Sequence, residues 1–199
     1  MKALAKKLAR LFLGEYSAYY IYALSAGDAV GAPAQADSRY RMASADELRL
    51  KSSADVLIQA QSGYAGPGSR TYVLYDGDRI IGVCFYWFGA RYLTRNFWPL
   101  AEGEAKLVQI VVLPEMRGRG AAGQLIAASM QDMAAQGFNR AYARIWHSNV
   151  PSLRAFERSG WMRVALVLEI NPFRRARPLQ FRLRVRGRPA QNQQDSRPR

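Results

Sequence analysis

The sequence predicts a single α/β or α+β domain built on a mixed β-sheet flanked by helices. Three observations carry this. Short apolar or alternating runs of strand character are interspersed with helical runs along the chain, not gathered into separate blocks. A length of 199 residues, 49% of them hydrophobic, suffices for one well-buried core. No internal repeat is visible, and no stretch of about 20 uncharged apolar residues exists to span a membrane.

Residues 1–13 predict a basic amphipathic helix, apolar at 4, 8, 11 and 12 and cationic at 2, 6, 7 and 10. It suits packing on its own domain, and equally an in-plane anchor on an anionic membrane; its cations make it a poor signal peptide. The aromatic-rich run 16–24 predicts the first strand, and a small-residue loop follows over 25–37. Ser44, with Glu47 three residues on, predicts a capping box that opens a helix to about Gln59. Runs 70–75 and 79–88 form a hairpin, because Asp76-Gly77-Asp78 supplies the positive φ of a tight turn. After a link over 89–103, the pattern predicts a strand at 106–113, a helix at 121–136, a strand at 140–147, a short helix at 151–159 and a strand at 162–170. Alternation of Leu179, Phe181, Leu183 and Val185 with polar residues predicts a last, one-sided strand over 179–186. The polar, basic residues 189–199 predict a disordered tail, leaving 14–188 as the folded domain.

The net charge of +14 is uneven: residues 174–199 hold nine arginines against one acid, Asp195. Such a field concentrates anions, whether coenzyme A, a nucleotide-sugar, RNA or anionic lipid, and a merely solvated basic tail has the same composition. The lone cysteine, Cys84, permits no internal disulfide and points to a reducing, cytoplasmic compartment. It lies in an apolar run, as a buried structural thiol would. No cluster with metal-ligand spacing is present, and no metal is expected.

The most informative stretch is 112–122, Val-Leu-Pro-Glu-Met-Arg-Gly-Arg-Gly-Ala-Ala. A strand ends at a proline, two glycines follow, and a helix opens. Unsatisfied N–H groups and the dipole of a helix start attract phosphate, and glycine lets it approach. The Gly-Lys-Ser/Thr of a Walker loop is absent. Gly118-Arg119-Gly120-Ala121-Ala122-Gly123 matches the dinucleotide fingerprint in letters, but past mid-chain and with no acid ending the next strand.

Arg117-x-x-Gly120-x-Ala122 resembles the coenzyme A motif of the GCN5-related N-acetyltransferases (GNAT). Asn149-Val-Pro-Ser152-Leu-Arg-Ala-Phe156-Glu-Arg-Ser-Gly160-Trp161 is similar to that family's second motif, in family order and separation, so the resemblance spans roughly 104–170. It implies a strongly twisted mixed sheet of six or seven strands whose fourth and fifth members splay apart. It further implies transfer of an acetyl group from acetyl-CoA to an amine. On this resemblance Ile110, Val111 and Val112 hold the pantetheine. Gly118, Arg119, Gly120, Ala121 and Ala122 bind the pyrophosphate with help from Arg117. Asn149 and Phe156 lie beside the cofactor, Asn149 being equally suited to capping a helix. Many relatives carry, at Phe156, a Tyr that protonates the departing thiolate, a task left here to water, Ser152 or another Tyr. Positions where relatives place Glu or His hold Lys106 and Val108. Candidate bases are Glu104, just upstream, and His147, the only histidine, a side chain that titrates near neutral pH.

For the acceptor, the aromatic third strand and following loop offer Trp87, Tyr92 and Trp98, although alternation sends half of such residues into the core. The basic surface points to a small or medium-sized amine acceptor bearing phosphate or carboxylate, such as a sugar or other anionic metabolite, met at the inner membrane face. Two alternatives stand beside this. One is a non-catalytic coenzyme A or anion-binding module whose Arg-rich tail grips RNA or lipid; the other is a protein N-terminal or lysine acetyltransferase.

Overall fold

The computed structural model describes residues 15–31, 39–94, 96–171 and 179–185. The helix expected over 1–13 and the tail over 189–199 lie outside them. Within them, β1 (Glu15–Ser25) leads into α1 (Ala26–Gly31), inside the stretch expected to be a loop. Then come β2 (Tyr40–Ser44), α2 (Glu47–Lys51), α3 (Val56–Gln59), β3 (Ser69–Asp76), β4 (Arg79–Trp87) and α4 (Gly89–Leu93). The second half holds β5 (Glu104–Val112), α5 (Ala121–Ala135), β6 (Arg140–Trp146), α6 (Val150–Arg158), β7 (Met162–Asn171) and β8 (Leu179–Arg184).

The strands form one sheet in the order β2-β3-β4-β5-β6-β1-β7-β8. Every neighbouring pair is antiparallel except β5 and β6, which run parallel. Seven strands fall where periodicity places them; the eighth, β2, does not, and its presence corrects the capping-box expectation. Ser44 ends that strand, paired with Tyr72, and Asp46 caps the helix instead, accepting from Arg49 N at 2.7 Å. The helix also stops early. Asp55 accepts from Leu57 N at 2.9 Å and starts α3 afresh, while the Gln59 amide donates to Ser53 O at 2.7 Å across the break. Asp46→Ala should cost about 1 kcal/mol of stability, read as a lower denaturation midpoint with unchanged slope.

Alternation fixes the two faces. Cys84 and Tyr86 of β4 meet Ser129 of α5, at 3.6 and 2.9 Å, and α5 buries Leu125, Ile126, Met130 and Met133 on that face. Phe85 and Trp87 point the other way, where Tyr64 packs on both rings. The β6 residues Ala141, Ala143 and Ile145 join the core on the α5 face, while Tyr142 belongs to a second cluster with Tyr19, Trp87, Tyr92 and Phe97. The last strand, β8, is an edge; Leu179, Phe181 and Leu183 stay 40–56% exposed, so its period-two pattern reflects pairing more than burial.

Candidate functional site

The parallel pair is short. Glu104 to Leu107 face Arg140 to Ala143, and beyond that register β5 runs on to Val112 and β6 to Trp146 without pairing to each other. The cause lies in the pairing of β5 with β4. Phe85 faces Gln109 and Tyr86 faces Leu107, so Val108 is an extra residue, a bulge that bends β5 away from its neighbour. The strands part into a cleft of about 230 Å³ lined by Lys106, Gln109, Ile110, Arg144, Asn149 and Phe156, with Ser152 at the start of α6. Val111 and Val112 continue the same strand toward the following bend; Val112 is buried against Gly82.

That bend is open. Leu113 N donates to Ile81 O at 2.9 Å, and a 3₁₀ turn, Pro114–Met116, plants Met116 in the core. Gly118 and Gly120 then take φ of 74° and 81°, and a Cβ at either would meet nothing within 4 Å. Gly120 caps α5 without a side-chain bond, and the helix's hydrogen bonds begin with Gln124 N donating to Gly120 O at 3.0 Å. The amides of Ala121 and Ala122 therefore start a helix whose N-terminal end no side chain caps among the described residues. Arg117 and Arg119 are exposed beside it; Arg117 Nε donates back to Val112 O at 3.2 Å. These residues fit a diphosphate: an unshielded N-terminus on a 15-residue helix, two glycines in the left-handed region, and two guanidinium groups.

Asn149 caps α6, its Oδ1 accepting from Ser152 N at 3.3 Å, and both residues line the cleft. Phe156 is 3% exposed, edge-on to Trp161 at 4.9 Å. His147, exposed, follows the last residue of β6. Its Nδ1 lies 3.0 Å from Ala18 O; a carbonyl only accepts, so Nδ1 is the donor of that bond. Glu104 sits at the closed end of the parallel pair. It accepts from Ala101 N at 2.8 Å and Tyr142 Oη at 3.2 Å, and Arg140 stands 3.6 Å away. It lines a different cavity, of about 560 Å³, between α4 and the loop before β5.

Of the aromatic candidates, Trp87 is buried with Nε1 donating to Tyr64 O at 2.9 Å. Tyr92 is 2% exposed; its hydroxyl donates to Trp98 O and accepts from Trp98 N at 3.0 Å, folding that loop around itself. Trp98 packs on Tyr142 at 5.8 Å. None of the three lines this cleft; Tyr92 lines the larger cavity beside Glu104. The side chains that do include a pair the motifs do not single out: Arg144, beside Phe97 and Trp146, and Gln109, whose amide donates to Gln61 at 3.1 Å. Alternation along β6, Tyr142, Arg144, Trp146, was the available signal. Burial pushes the Cys84 thiol up to about 12, which suits a structural thiol. Among the described residues no group of three or more His, Cys, Asp or Glu gathers as metal ligands, and no helix is long and apolar enough to cross a membrane.

Residues 37–161 match the Acetyltransferase (GNAT) family, and the chain belongs to that family. Its fold is similar to a Drosophila structural-genomics protein (TM-score 0.52, 16% identity, 87% of this chain and 57% of that one). It is also similar to a functionally unknown conserved protein of Staphylococcus epidermidis (0.55, 14%, 85% and 66%). A third similar structure is a candidate GNAT acetyltransferase of Novosphingobium aromaticivorans (0.50, 17%, 79% and 64%). The chain thus spans less than two thirds of each of these three. No curated protein matches the sequence.

Proposed function

We propose that the protein is an N-acetyltransferase that moves the acetyl group of acetyl-CoA to the amine of a small or medium-sized, anionic acceptor. The observation that carries this is the order of cleft and bend along the chain: β5 runs from the bulge at Val108 to Val112, and one 3₁₀ turn links it to Gly118 and Gly120. Acetyl-CoA supplies a thioester, already activated for acyl transfer. The chain's own part is to hold, orient and manage protons. The amides at Gly118–Ala122, with Arg117 and Arg119, take the diphosphate. Ile110, Val111 and Val112 flank the pantetheine arm, and Asn149 closes its far side. Phe156 has no proton to give, so the proton for a leaving thiolate comes from Ser152 Oγ or water. His147 Nε2 accepts the amine's proton through water. The acceptor meets the enzyme at an anionic, cytoplasmic membrane surface, which the Arg-rich segment after β7 favours.

Calorimetry with acetyl-CoA, followed by transfer to a panel of amines, tests this. Expected are binding heat, and turnover lowered by at least about tenfold in His147→Ala. Full turnover by that variant at every pH removes His147 from the mechanism. Binding without transfer to any amine would instead favour the non-catalytic module, a reading supported by the lack of an acid at Phe156.

A further inference from the structure

The geometry points to a seat for an oxyanion, a carboxylate above all, between Lys106 and Arg144 where β5 and β6 begin to part. It rests on the acetyltransferase reading and narrows it: the accepted amine carries a carboxylate on the same molecule.

Register places the two cations together. Lys106 pairs with Tyr142, one step before the last paired residues, Leu107 and Ala143. Arg144 is the first residue of β6 beyond that pair, two residues on from Tyr142 and therefore on its face. Both cations converge on one ring: Lys106 Nζ lies 3.5 Å from the Phe97 centroid and the Arg144 guanidinium 5.2 Å from it. Both line the cleft.

Neither is placed as an ordinary surface charge. Lys106 is only 4% exposed, its ammonium set over the Phe97 ring at the cleft wall. Arg144 is exposed, yet its guanidinium stands among three rings, Tyr19 at 5.3 Å, Phe97 at 5.2 Å and Trp146 at 5.4 Å. Aromatic faces steady the group without occupying its N–H donors. Among the described residues Arg144 enters none of the ion pairs. The nearby acid that feels its charge, Glu169, is bound instead to Tyr19 at 2.7 Å, Gln180 at 2.8 Å and Ser17 at 3.1 Å. A planar donor fork with free edges, next to a point cation, matches a carboxylate. The same pair repels a polycationic acceptor. In this cleft the anion anchors the substrate, and its amine projects past Gln109 toward Ile110.

Matched amines test the seat: phenylalanine against phenethylamine, and phosphoethanolamine against ethanolamine, each with acetyl-CoA. In parallel, the protein without acetyl-CoA is titrated calorimetrically with N-acetylphenylalanine, which has the anion and no amine, and with coenzyme A. Expected is a kcat/KM at least about tenfold higher for the carboxylated partner, carried by KM. Arg144→Gln and Lys106→Met should each erase that preference and weaken N-acetylphenylalanine about tenfold, with coenzyme A affinity unmoved. A larger gain for phosphoethanolamine assigns the same seat to phosphate. Equal or better turnover of the uncharged partners, with coenzyme A bound, overturns the seat. Binding of N-acetylphenylalanine that depends on Arg144 in a protein that binds no coenzyme A would uphold the seat and refute the acetyltransferase reading.

Discussion

Gly120→Asp is expected to weaken coenzyme A binding about a hundredfold while leaving the fold intact. The new carboxylate would stand at the opening of α5, at the bend proposed to take the diphosphate. Repulsion between unit charges about 4 Å apart is roughly 1 kcal/mol in water and about 4 kcal/mol near a protein surface. A combined loss of about 3 kcal/mol is roughly a hundredfold in affinity. Stability should barely move. An L-residue at φ of 81° costs about 1 kcal/mol, and aspartate tolerates this region better than most. A carboxylate at a helix N-terminus returns about 0.3–1 kcal/mol through the dipole. Titration calorimetry and a melting curve on the same sample separate the two effects. Undiminished binding heat in this variant would mean that the bend is not the phosphate site.

The largest loss of stability is expected from Phe85→Ala. Phe85 is fully buried, packs on Tyr64 at 5.4 Å, and sits where β4 and β5 shift register. Deleting a buried phenyl ring costs about 3–5 kcal/mol, a fall in Tm of roughly 10 °C for a chain of this size. Turnover should fall as well at temperatures where the protein is folded. Tyr64 also receives the Trp87 hydrogen bond, and the neighbouring Gln61 holds Gln109 in the cleft. A variant that melts lower but keeps its kinetics would show that the bulge is held by β5 alone.

The glycine bend and the helix that follows it were legible in the sequence because their information is local. A strand, a proline, two glycines and a helix encode the bend within a dozen residues, and backbone chemistry needs nothing else. Strand periodicity located seven of the eight strands for the same reason. What was illegible is what distant segments build. Ser44 and Glu47 have the spacing of a capping box, but Ser44 is consumed by pairing with Tyr72, and Asp46 takes the cap. Trp87 and Tyr92 look like a stacking surface until Tyr64 and the 97–98 backbone bury them. The Lys106–Phe97–Arg144 grouping joins three segments and leaves no spacing to read. Alternation alone put Arg144 beside Tyr142, without saying what lay opposite.

The topology also sets the timing of folding. The strand β1 is clamped between β6 and β7, with Tyr19 opposite both Trp146 and Val167. On the ribosome, this first strand of the sheet emerges with an apolar, tyrosine-rich surface whose partners do not yet exist. At about 5–20 residues per second it waits on the order of ten seconds for β6. The hairpin of β3 and β4 can zip at once, but the carboxyl-terminal half-sheet must recruit a segment made long before it. Expression hosts that translate slowly, or that offer little chaperone cover to nascent chains, should therefore give poor yields of native protein.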